Sequence, residues 1–123
     1  MEKSALNELV NGILNVMESQ LVRIVLYGSV ARGTHTSESD VDIALLTNGA
    51  LNKDTEEMLS GFIVEMNLKY DKVFSVIDIE YNKFCQWESV TPFYSNVSKE
   101  GIVLWQVAWL NYQNTDLNVL VKS

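Results

Sequence analysis

Residues 28–42 read GSVARGTHTSESDVD, a glycine turn followed at short range by a pair of aspartates. What lies on either side decides the fold. Leu21–Tyr27 (LVRIVLY) is β-branched and apolar and predicts a buried strand that stops at Gly28-Ser29. Residues 29–32 open a short helix, and residues 33–40 (GTHTSESD) are polar and turn-like. Residues 40–46 (DVDIALL) predict a second strand, in which alternation sends Asp40 and Asp42 to one side and Val41 and Ile43 to the other. Thr47-Asn48-Gly49 closes it with turn chemistry.

Outward from this centre, Leu6, Leu9, Val10, Ile13, Leu14 and Met17 recur at helical spacing and predict an amphipathic helix over residues 3–19. Asn52 is placed to cap a further helix with Asp54, Glu56 and Glu57 near its positive end, and Met58, Leu59, Phe62, Ile63 and Met66 form its apolar stripe. Residues 73–79 (VFSVIDI) predict a third strand, and residues 81–87 a short helix. Thr91-Pro92 suits a helix start and Gly101 its end. Residues 102–110 are strongly apolar, and the polar tail from Asn111 is expected to be loosely held. The alternation of helix and strand predicts an α/β (α+β) fold, a short mixed sheet flanked by helices. It forms one domain over 1–123, with a core over 1–105 and a C-terminal tail over 106–123.

The bulk properties bound the function. A chain of 123 residues, 47% hydrophobic and 20% charged, fits one globular domain. Its net charge of −7 argues against direct nucleic-acid binding through phosphates, but leaves room for one nucleotide whose charge a metal ion neutralises. It also favours a neutral or basic protein partner. Cys85 is the single cysteine, so no internal disulfide forms and a cytoplasmic setting is expected. The N-terminus lacks a signal-peptide pattern, and no apolar run is long enough to span a bilayer.

Asp40 and Asp42, with Cα atoms roughly 7 Å apart on one strand face, can converge on divalent ions. Carboxylate oxygens suit Mg²⁺, and two such ions about 3.5–4 Å apart can clamp a phosphoryl displacement. The two like charges repel and call for a cation. A bare Asp-x-Asp also fits a solvated turn. Gly28 lets the backbone approach a phosphate and Ser29 adds a hydroxyl, yet Gly-Ser alone also fits an ordinary strand-to-helix turn. Thr34-His35 stands where a P-loop requires Lys-Ser/Thr, which rejects that motif.

Together these parts make the pattern GSx10DxD, extended by Ala31-Arg32-Gly33 and Ser39 to GSxARGxxxxxSDxDIA. In this the sequence resembles the MNT-type nucleotidyltransferases of the DNA polymerase β superfamily, over residues 28–46 with almost no departure and in element order to about Leu104. The resemblance implies that Gly28 and Ser29 hold the phosphates of an NTP, ATP foremost, and that Asp40 and Asp42 bind Mg²⁺, as two ions. It implies a third carboxylate on a neighbouring strand as metal ligand and activator of the acceptor hydroxyl, for which Asp78 is the candidate and Glu80 the competitor. Arg32 either reaches a phosphate or pairs with Glu38 or Asp40. The implied reaction moves NMP, as AMP, to an acceptor hydroxyl. The small size resembles stand-alone MNT antitoxins, which act on a tyrosine of a HEPN-domain toxin. A contact-only antitoxin of the same fold and nucleotidylation of a small molecule such as an antibiotic are the alternatives.

Other residues are expected to do less. Ser39 caps its loop, His35 is solvated, and Cys85 beside Phe84 is a small core residue. Trp105, Val107, Trp109, Leu110 and Tyr112 either complete the core or form a homo- or hetero-oligomeric interface.

Overall fold

A strand that is apolar at nearly every position must be covered on both faces, and Leu21–Tyr27 lies inside a four-stranded sheet. The computed structural model describes residues 3–110. In chain order they form α1 (Lys3–Met17), a 3₁₀ turn (Glu18–Gln20), β1 (Leu21–Tyr27), α2 (Gly28–Arg32), β2 (Val41–Thr47) and α3 (Lys53–Tyr70). β3 (Phe74–Glu80), α4 (Tyr81–Trp87), α5 (Pro92–Glu100) and β4 (Ile102–Gln106) follow. The sheet order is β3-β2-β1-β4. β1 runs antiparallel to both β2 and β4, and β2 runs parallel to β3. The expected mixed sheet flanked by helices is what forms.

Each sheet face has its own core. Ile24, Leu26, Val41, Ile43, Leu45 and Phe74 pack against Leu9, Ile13 and Met17 of α1 and Leu59 and Met66 of α3. Val25, Ala44, Leu46 and Ile79 pack against Phe84 of α4 and Val97 of α5. α1 and α3 approach closely because Gly12 has no side chain; a Cβ there would overlap the Phe62 ring.

Local chemistry explains most boundaries. Asn52 caps α3 by accepting a hydrogen bond from the Thr55 N–H at 2.8 Å. α1 ends at Met17, two residues short of expectation, where Glu18 takes a left-handed conformation at φ 51°. Met58 is 59% exposed and not part of the α3 stripe, because it lies one helical step of about 100° from Leu59. Cys85 is likewise exposed, not core: Phe84 points at the sheet, and its successor is turned away.

Two corrections concern the C-terminal part. Ile102–Gln106 is an edge strand that pairs with β1 through Ile24↔Trp105 and Val25↔Val103. The core also runs past residue 105: the Val107 N–H donates to the Val22 carbonyl at 2.8 Å, and Leu110 is buried. The apolar set therefore divides, with Leu110 inside, Trp105 and Val107 half-buried, and Trp109 exposed. Tyr112 and the expected loose tail lie outside the described residues. Among the described residues no helix is long and apolar enough to cross a membrane.

Gly101 follows α5 as expected, but with extended backbone at φ −71° rather than a left-handed cap. Glycine is needed there for space, since a Cβ would overlap the Val97 carbonyl and the Val25 side chain. Gly101→Ala is expected to destabilise the fold by about 1–3 kcal/mol through overpacking. Thermal unfolding checks this as a lowered midpoint.

Candidate active site

Gly28 ends β1 in the left-handed region, at φ 77°, and turns the chain directly into α2. Gly33 ends α2 in the same region, at φ 75°, and the Thr34 N–H returns to the Ser29 carbonyl at 3.0 Å. The following loop is tied by Ser39, whose hydroxyl accepts from the Thr36 N–H at 2.9 Å, the loop cap expected of it. The chain then enters β2, where the Val41 N–H donates to the Val73 carbonyl at 2.8 Å.

This folds the two halves of the motif onto each other. The antiparallel register sets Tyr27 opposite Asp42, so Gly28 lies beside the Asp42 side chain. A Cβ on Gly28 would overlap the Asp42 carboxylate. The bend and the acid therefore meet, as the GSx10DxD reading requires.

Asp40 is exposed just before β2, and Asp42 is half-buried on it. Burial pushes the Asp42 carboxyl above the usual carboxylate range, the Asp40 charge adds to that, and the Arg32 guanidinium opposes it. The same region raises the Tyr27 phenol, through burial first and the Asp42 charge second. The Tyr27 ring meets Phe93 of α5 edge-on, with centroids 5.6 Å apart. Arg32 pairs with neither Glu38 nor Asp40; its partner is Glu100 at 3.3 Å, an exposed pair worth little to stability. The sequence placed Glu100 on a distant helix, and only the packing of α5 against α2 reveals the contact.

Two carboxylates whose repulsion is incompletely offset, beside a glycine bend, are a donor set that suits a divalent cation with hard-ligand preference. Asp40 and Asp42 are the residues that would hold it. Among the described residues no group of three His, Cys, Asp or Glu is placed to hold a metal ion.

Asp78 does not join them. In the parallel β2–β3 register Asp42 lies opposite Ser75, and Asp78 lies opposite Leu45. Residues opposed in a parallel pair share a face, so Asp78 faces α3, on the opposite side of the sheet from Asp42 and roughly 10 Å further along. There it lines a cleft of about 530 Å³ with Glu56, Ser60 and Ile63. Glu80 stands opposite Thr47 at the far end of β2 and pairs with Lys83 at 3.1 Å. His35 is exposed, as expected, near Lys72 and Ser37. Sequence reading missed Tyr27 and Ser75 as neighbours of Asp42. A hairpin register carried back from Asp42 finds Tyr27, but no local signal finds Ser75.

Residues 10–104 match the family described as Nucleotidyltransferase domain. A candidate protein adenylyltransferase of Methanocaldococcus jannaschii is 33% identical over 107 residues, covering 85% of this chain and 98% of that protein. A chain from the complex of tri-AMPylated Shewanella oneidensis HEPN toxin with MNT antitoxin superposes with a TM-score of 0.58 at 19% identity, covering 95% of this chain and 79% of that one. A chain from a toxin–antitoxin structure with AMP-PNP superposes with a TM-score of 0.58 at 20% identity, covering 94% and 85%. At such identities these two structures speak to the fold.

Proposed function

Since this chain belongs to the nucleotidyltransferase domain family, we propose that it transfers AMP from Mg²⁺-ATP to a tyrosine hydroxyl of a HEPN-domain toxin, as the antitoxin of a cytoplasmic pair. The observation that carries the reading is the contact of the Gly28 bend with the Asp42 carboxylate. Supporting it are the M. jannaschii relative described as a candidate protein adenylyltransferase and the fold shared with chains of toxin–antitoxin complexes, one with AMP-PNP and one with a tri-AMPylated toxin.

In this reading Gly28 and Ser29 hold the triphosphate, and Asp40 and Asp42 hold the metal. Bound there, Mg²⁺ would neutralise charge on the transferring phosphoryl group. The acceptor oxygen attacks the α-phosphorus in line, a new P–O bond forms, the α–β bridging P–O bond breaks, and pyrophosphate leaves. The acceptor proton goes to solvent. A phenol ionises near pH 10, which makes a tyrosine easier to activate than an alkyl hydroxyl. In the same reading Arg32, whose charge acts on Asp42 and whose side chain pairs with Glu100, would turn to the phosphates. The exposed Ile102, Val103 and Trp109 offer apolar surface near the C-terminal end for a protein partner.

Intact mass spectrometry after co-expression with a HEPN-domain partner and Mg²⁺-ATP tests the reading. The expected result is a gain of whole AMP units on the partner. No modification with any of the four NTPs opposes it, and label on a soluble compound points to a small-molecule acceptor. With Asp40→Ala and Asp42→Ala combined, complex formation with lost neutralisation is the result expected of an enzyme. Unchanged neutralisation is that of a contact-only antitoxin.

A further inference from the structure

We propose that Ser75 limits this site to one divalent cation. The inference rests on the function proposed above and concerns how the chain's own residues complete the site. The phase of β3 against β2 is set by two independent observations. The register opposes Asp42 with Ser75, Ala44 with Ile77 and Leu46 with Ile79. Packing agrees: Ile77 and Ile79 join the core that holds Ala44 and Leu46, whereas Phe74 and Val76 join the core that holds Ile43 and Leu45. Ser75 is therefore the β3 residue beside Asp42 on the same face, about 4.8 Å away between strands.

Among the described residues no other acid fills that flank. On the β1 side Asp42 faces Tyr27. Glu100 is engaged by Arg32, Glu80 by Lys83, and Asp78 lies across the sheet. Ser75 is half-buried and its hydroxyl makes no side-chain hydrogen bond among the described residues. It is a neutral ligand of no charge-compensating power at the place where a carboxylate would reach both Asp42 and a bound ion.

The chemistry of the donor set follows. Two carboxylates with phosphate oxygens and water complete one octahedral Mg²⁺. A second cation about 3.5–4 Å from the first meets like-charge repulsion that needs further anionic ligands. With serine at position 75 the described residues supply none. The ion that binds is the one carried with the triphosphate, and the expectation of two ions is replaced by one.

Manganese titration followed by electron paramagnetic resonance, on the full chain with saturating AMP-PNP, tests this apart from turnover. The wild-type chain should hold one Mn²⁺. Ser75→Asp should hold two, the second at least tenfold tighter than any second binding in the wild type. Ser75→Asn, of the same shape without charge, should stay at one. Ser75→Glu repeats the gain with a longer carboxylate if Asp disturbs β3, and melting curves show which variant is folded. A wild-type chain that holds two Mn²⁺ with comparable affinity overturns the inference. So do folded Asp and Glu variants that stay at one, and in that case the nucleotidyltransferase reading stands. Absence of any nucleotide-dependent Mn²⁺ in wild type and variants overturns both.

Discussion

Asp42→Asn should lower nucleotidyl transfer by on the order of 10³-fold and, at the same time, raise the melting temperature at neutral pH. On the proposed function the loss follows from removing the charge that would hold the metal beside the Gly28 bend, an effect worth several kcal/mol in the transition state, with each 1.36 kcal/mol a factor of ten. The gain follows from the cost of holding that charge. Burial and the Asp40 carboxylate both push the Asp42 carboxyl upward. A carboxyl whose folded-state pKa exceeds its unfolded value binds its proton more tightly in the native chain. Folding is weakened as pH rises from the unfolded value through the folded one, and the full cost remains above it. At neutral pH the wild type therefore carries a penalty that Asn lacks. Below both values Asp42 is protonated in either state, and the two melting temperatures should converge. Melting curves of both proteins from acid to neutral pH check the sign. A variant that is less stable at neutral pH would contradict it. Adding Mg²⁺ with AMP-PNP should stabilise the wild type and leave the variant nearly unmoved, because ligand that binds only the native state shifts the equilibrium by mass action.

Gly28→Val should disable the site and the fold together, and Gly33→Val separates the two effects. Both glycines have left-handed backbone, at φ 77° and φ 75°, where a β-branched residue is strained by roughly 1–2 kcal/mol. Their surroundings differ. A Cβ on Gly28 would overlap the Asp42 carboxylate, whereas one on Gly33 meets nothing within 4 Å. Gly33→Val should therefore lose only the strain and retain Mn²⁺ and nucleotide binding. Gly28→Val adds a steric displacement of Asp42, for a total of roughly 2–4 kcal/mol, and binding should fall to background. Urea denaturation with nucleotide titration on the two variants reads both effects. Equal loss of binding in the two would mean that the bend, not the space above Asp42, is what matters.

Much of the molecule was legible because its signals are local. The apolar run Leu21–Tyr27, the alternation entering β2, the Asn52 cap and the Pro92 start each depend on residues within a turn of one another. The Gly28–Asp42 meeting was legible too, since a hairpin-like return of short span leaves few registers. The misses depend on contacts made far away. Residues 102–105 are continuously apolar, so β4 declares itself a strand only by pairing with β1. Cys85 and Met58 sit at the margin of apolar stripes, where burial turns on the rotation of a helix against its neighbours.

Alternation within a strand states which residues share a face, and on that ground Asp40 and Asp42 were paired. It does not state which face. The phase of one strand against another is set when backbone hydrogen bonds choose a register, and a slip of one residue exchanges every side chain between the faces. Sequence by itself determined that the glycine bend and the aspartate strand meet, with Gly28 against Asp42. Only the tertiary structure, through the β2–β3 register, decided that Ser75 and not Asp78 stands beside them.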